Sequence, residues 1–202
     1  NLGHGRVIVS LIESIDLTVD WGANYMTDEV EAILKDASLK LWLDASHSNS
    51  VIKDGSNKVS KWMDLSGENN HALQSGNNQK PILEEEAGKK RIHFDGSDDF
   101  LSLSKATNLG ETDFTVIILG RQDSDDGSRG ILYGDYSVSN GYNLNFELVS
   151  NKTRLYINNS PSFYSDFEYS KGDFHFYIFE RDISSQIRVL DEKGAFTSTA
   201  TG

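Results

Sequence analysis

The chain of 202 residues has no cysteine. It therefore offers no disulfide framework, no zinc–thiolate site and no thiol nucleophile. Basic side chains are in the minority, 19 Lys and Arg against 31 Asp and Glu, for a formal net charge of −12. Such a surface repels phosphate backbones and anionic membranes, which argues against nucleic acid as a partner. The one basic cluster, Lys89-Lys90-Arg91, is too short to reverse that. No apolar run approaches the roughly 20 residues of a membrane span, so membrane insertion is not expected. Residues 1–6 contain no apolar core of a signal peptide. Because the first residue is Asn rather than Met, the chain reads as processed or as a piece of something longer.

Enzyme signatures are missing as well. There is no G-x-S-x-G, no H-E-x-x-H and no phosphate-binding loop. The histidines, His4, His47, His71, His93 and His175, include no i, i+4 pair. Retaining glycoside hydrolysis needs two carboxylates about 5–5.5 Å apart, and jelly-roll glycanases supply them from a strand run of the form E-x-D-x-x-E. No such run occurs. Glu84-Glu85-Glu86 reads as a loop beside Ala87-Gly88, and Glu147 is a single carboxylate on a strand. The sequence reads as that of a non-enzyme.

What is present is β-structure. Residues 5–21 alternate loosely and read as one or two strands. A helix follows at 28–37, with Thr27 as N-cap, Asp28 and Glu29 in its first turn, and Val30, Ile33, Leu34 and Ala37 as its apolar stripe. From Leu39 onward, short runs rich in β-branched and aromatic residues alternate with Gly/Asn/Asp/Ser clusters. Strands are expected at 39–45, 58–65, 91–95, 99–103, 113–121, 130–135, 142–149, 153–158, 174–181 and 186–192. Many short strands without helices between them argue an antiparallel β-sandwich. In 174-FHFYIFER both alternating faces are apolar, as in a central strand covered on both sides. In 153-TRLYIN, Leu155 and Ile157 oppose Arg154, Tyr156 and Asn158, the pattern of a half-solvated sheet.

The runs 41-LWLDAS-46, 59-VSKWMDLSGENNHALQ-74, 81-PIL-83 and 92-IHFDGSDDFLSL-103, followed by 113-DFTVIILGR-121, 141-GYNLNFEL-148, 153-TRLYIN-158 and 174-FHFYIFERD-182, stand in an order that resembles the laminin-G-like, concanavalin A-like jelly roll of bacterial and viral surface proteins. The resemblance covers about 39–196. It implies an all-β jelly roll at 39–202, preceded by an N-terminal arm of 1–38 that carries an extended segment and the short helix. It also implies an extracellular, cell-surface or virion-surface protein that binds a glycan or another surface protein. Two departures stand out: residues 1–38 lie outside the resemblance, and the strands with which the family closes are not found after 194-GAFTSTATG-202. Either those strands are cut off or another segment fills their place. Self-association or assembly into a larger particle through the arm is therefore a second reading, with the chain as a structural subunit of a filament, tail or capsid decoration.

Candidate site residues come from the turns. Asp95, Asp98 and Asp99 flank an Asp-Gly turn and are either turn formers or oxygen ligands for calcium, an ion that related jelly rolls often hold. In 123-DSDDGSRG-130 the glycine and the twelfth position do not match an EF-hand loop, so an acidic loop is expected there. Asp64, Asn69 and Asn70 either cap a turn or face the hydroxyls of a sugar. Tyr136, Tyr142, Phe163 and Tyr164 lie near loops, where aromatic rings can stack on the apolar faces of sugars. Trp42 and Trp62 fall in strands and are expected in the core.

Overall fold

The computed structural model describes residues 2–10, 38–86, 88–107, 109, 113–123, 130–137, 142–149, 152–157, 163–164, 168–181 and 187–190. The regular elements among them are strands, as the spacing of turn residues requires. In chain order they are β1 (Leu2–Ser10), β2 (Leu39–Leu43), β3 (Val51–Lys53), β4 (Val59–Trp62), β5 (Ala72–Leu73), β6 (Ile82–Glu86), β7 (Lys89–His93), β8 (Ser102–Leu103), β9 (Phe114–Gln122), β10 (Gly130–Ser137), β11 (Tyr142–Val149), β12 (Lys152–Ile157), β13 (Phe163–Tyr164), β14 (Phe174–Arg181) and β15 (Ile187–Leu190). The helix expected at 28–37, and residues 11–21 of the extended segment, lie outside the described residues.

Three antiparallel sheets result. The largest runs β15-β14-β9-β1-β7-β6, with β2 also paired to β1. The second is β10-β11-β12-β13 and the third β3-β4-β5-β8. All three contribute to one apolar core. Leu41, Leu43, Ile92, Phe114, Val116, Ile118, Tyr177 and Phe179 come from the large sheet, Phe146, Leu148 and Leu155 from the second, and Val59, Trp62 and Ala72 from the third. Alternation along each strand selects these residues, because side chains i and i+2 share a face. At the centre, Phe146 meets Phe179 and Phe114 edge-on, with ring centroids 4.8 and 5.8 Å apart, the preferred geometry of aromatic quadrupoles. Tyr177, Ile178 and Phe179 are all buried, which matches a β14 covered on both faces between β9 and β15.

Two sequence expectations are corrected. Glu84, Glu85 and Glu86 form a strand, not a loop: they close a hairpin in which they fall opposite Arg91, Lys90 and Lys89. Opposite charges facing one another favour pairing, and Gly88 at φ 76° takes the left-handed turn that residues with a Cβ avoid. Trp42 is half-buried on the side of β2 away from Leu41 and Leu43, with its ring edge-on to His47, whereas Trp62 is in the core as expected. Residues 2–10, read as part of the arm, pair into the large sheet as β1.

Candidate functional site

The acidic turn Asp95–Asp99 joins β7 to β8 and is held by its own backbone. Asp95 Oδ1 accepts from the amides of Ser97 at 2.8 Å and Asp98 at 3.4 Å, and Asp99 Oδ2 accepts from the Asp95 amide at 3.0 Å. Gly96 has φ 76°, the conformation an Asp-Gly turn calls for. One carboxylate oxygen from each of Asp95, Asp98 and Asp99 lies within 4.8 Å of the others. The Ser97 amide holds the Asp95 carboxyl below the ordinary carboxylate range. Partial burial, reinforced by the charges of Asp95 and Asp98, pushes the Asp99 carboxyl up against its bond from the Asp95 amide. Hard carboxylate oxygens are the right donors for calcium, and three of them converge here.

The Asp64 loop is built differently. Asp64 is 6% exposed and Asn70 is 3% exposed. Asp64 Oδ1 accepts from the amides of Trp42 (3.0 Å) and Ser66 (2.9 Å); Oδ2 accepts from the Ser66 hydroxyl and the Asn70 amide, both at 2.9 Å. The Asp64 amide donates to His71 Nδ1 at 3.1 Å. Asn70 Oδ1 accepts from the Lys105 amide at 2.7 Å. Asp64 and Asn70 thus bind the loop to β2 and to the chain after β8. Asn69, with φ 55° and its Nδ2 donating to Gly67 O, is the member of the trio that faces solvent.

These two groups are not brought together. β5 and β8 pair antiparallel, Ala72 with Leu103 and Leu73 with Ser102. The Asp64 loop meets Ser104 and Lys105 at one end of that pair, while the chain leaving the acidic turn meets Gln74 and Gln79 at the other, through Phe100.

The sheet β10-β11-β12-β13 has one face in the core, where Tyr133 stacks on Phe146 and the Thr107 hydroxyl meets the Tyr133 hydroxyl. Its other face carries Asn145, Glu147, Arg154 and Tyr156 among the described residues, with Val149 two residues on from Glu147. Glu147, fully buried, accepts from Arg154 Nε at 2.6 Å and also pairs with the Arg154 Nη2. The Arg154 guanidinium lies 5.7 Å from the centroid of the Tyr156 ring. Asn145 lies directly opposite Tyr156 in the register. By register, Tyr136 pairs with Asn143, Tyr142 with Ser137, Tyr164 with Arg154 and Phe163 with Leu155. Arg154 and Tyr156 were assigned to one face by alternation alone. Their meeting with Glu147 needs the register of the β11–β12 hairpin, in which Val149 pairs with Lys152.

Comparison of the chain with protein-family models, with curated proteins and with solved structures finds no match.

Proposed function

We propose that this chain is a non-catalytic binding module of an extracellular, cell or virion surface, a laminin-G-like jelly roll that takes a carbohydrate on the Arg154 face of the β10–β13 sheet. The carrying observation is Arg154, pinned by the buried Glu147 and laid against Tyr156. Arg154 Nε and Nη2 both reach Glu147 Oε2, and a charged pair of this kind holds the guanidinium in one orientation before a ligand arrives. Preorganised polar groups beside an aromatic ring are what a sugar needs, since it presents hydroxyl edges and apolar faces. Asn145, opposite Tyr156 in the register, adds an amide, and Tyr136 and Tyr164 hold register positions in the same sheet. The carboxylate on this face is engaged by Arg154, which suits binding rather than proton transfer. The all-antiparallel sheets around one core fit the family resemblance. Asp95, Asp98 and Asp99 would hold a calcium ion that orders their turn; Asn69 lines a separate loop.

A glycan array probed with and without chelator tests the reading. The expected result is binding to a subset of glycans. A folded chain that binds none in either condition contradicts it. Calcium is checked separately by thermal denaturation, where added calcium raises the midpoint if the acidic turn holds the ion and leaves it unchanged if it does not.

A further inference from the structure

We propose that the outward face of the sheet β3-β4-β5-β8 docks a segment of another protein that carries carboxylates beside apolar side chains. The register separates the two faces of this sheet. The row Val51↔Trp62↔Ala72↔Leu103 faces inward: Trp62 and Ala72 are buried in the core, and Val51 and Leu103 pack against it. The neighbouring row, Ile52↔Lys61↔Leu73↔Ser102, therefore faces outward, because successive side chains of a strand point to opposite sides. Phe100, two residues before Ser102, follows the same alternation, with Leu101 and Leu103 turned to the core. Ile52 is 49% exposed, Leu73 41% and Phe100 45%. Apolar residues scattered singly over a surface are ordinary, whereas a set of them on one face marks an interaction site. This set spans the width of the sheet, about 14 Å over three inter-strand spacings.

Charge says what fits. In a chain of net charge −12, this face gathers lysines. Lys61 stands half-buried between Ile52 and Leu73 in the outward row, where a lysine stem covers apolar surface and its ammonium stays in water. Lys53 follows Ile52 on β3 and donates to Asn57 Oδ1. Lys58 and Lys80 both donate to Asn77, to its carbonyl and its side-chain oxygen, each at 2.8 Å. The same turn supplies the Gln79 carbonyl that accepts from the Phe100 amide. Ile82, 37% exposed, bridges to Lys58. None of these four lysines is in a salt bridge with a described carboxylate. The acids at hand are engaged by backbone: Asp54 Oδ1 accepts from the amides of Ser56 and Lys58, and Asp99 Oδ2 from that of Asp95.

Ammonium groups without acid partners, set around exposed apolar side chains, complement carboxylates set around apolar side chains. Ile52 and Leu73 are aliphatic and offer a sugar no ring to stack on, and the net charge of the chain repels an anionic bilayer. A protein segment supplies both the carboxylates and the apolar groups. This goes beyond the glycan-binding reading and does not rest on it, for the face belongs to a different sheet.

Random dodecapeptides displayed on phage are panned against the wild-type chain. The enriched sequences are synthesised and titrated by fluorescence anisotropy into wild type, I52S/L73S and K58E/K61E. The expected sequences combine Asp or Glu with Leu, Ile or Phe, and their binding to each variant is weaker by about tenfold or more. No enriched peptide, enriched peptides without acids, or equal affinity for wild type and either variant overturns the proposal. Co-sedimentation of the wild-type chain with phosphatidylserine vesicles, abolished by K58E/K61E, also overturns it and assigns the face to a lipid surface. All four substituted side chains are exposed or half-buried, so the core is untouched. Should a double variant not fold, I52S and K61E are read singly by the same criteria.

Discussion

Asp64 shows what a single buried carboxylate does in this molecule. It gathers the amides of Trp42, Ser66 and Asn70 and the hydroxyl of Ser66. D64A leaves those buried donors without an acceptor, so a loss of about 1–3 kcal/mol is expected in urea denaturation, with D64N milder because one oxygen remains. The acids of the 95–99 turn behave in opposite senses. The folded pKa of Asp95 is depressed by the Ser97 amide, so its contribution to stability is present above the ordinary carboxylate pKa and is lost as pH falls through the folded value. The folded pKa of Asp99 is raised by burial, so its ionisation weakens the fold as pH rises from the unfolded value through the folded one. Carboxyl-carbon NMR is expected to show Asp99 titrating at higher pH than Asp95, and coincident titrations contradict this. At this scale the sequence was legible where chemistry is local. Asp95-Gly96 announced its turn, but the burial of Asp64 and Asn70 was not visible, because it depends on Trp42 and Lys105, far along the chain.

The β6–β7 hairpin and the β10–β13 sheet show where elements decide. Gly88 at φ 76° has open space around it, so G88A acts through the backbone and is expected to cost about 1–2 kcal/mol. In the β11–β12 hairpin the Glu147–Arg154 pair is the sensitive point. R154M takes the cation away from a fully buried carboxylate, so it is expected to cost about 3–5 kcal/mol by chemical denaturation, and a neutral result contradicts a contribution of the pair to stability. Alternation placed Leu155 inward and Arg154 and Tyr156 on the other face, as found. It misjudged Glu84-Glu85-Glu86, because an acidic run has poor strand propensity and only its basic partners Lys89, Lys90 and Arg91 explain the pairing.

At the scale of the whole molecule, turn spacing announced an all-β chain, and antiparallel sheets around one core are what the structure has. The strand order was less legible. Nothing in 1-NLGHGRVIVS-10 says that it inserts between β9 and β2, because that depends on edges formed by residues far along the chain. Nor did the sequence show that the Asp64 loop and the acidic turn lie at opposite ends of β5 and β8, which pairing alone reveals. The central claim concerns the Arg154 face of the β10–β13 sheet. Its most direct test is calorimetric titration of the best glycan from the array into wild-type chain and into Y156A. The account predicts binding weaker by about tenfold or more in the variant, roughly 1.4 kcal/mol, with an unchanged thermal midpoint. Equal affinity in the two proteins contradicts it.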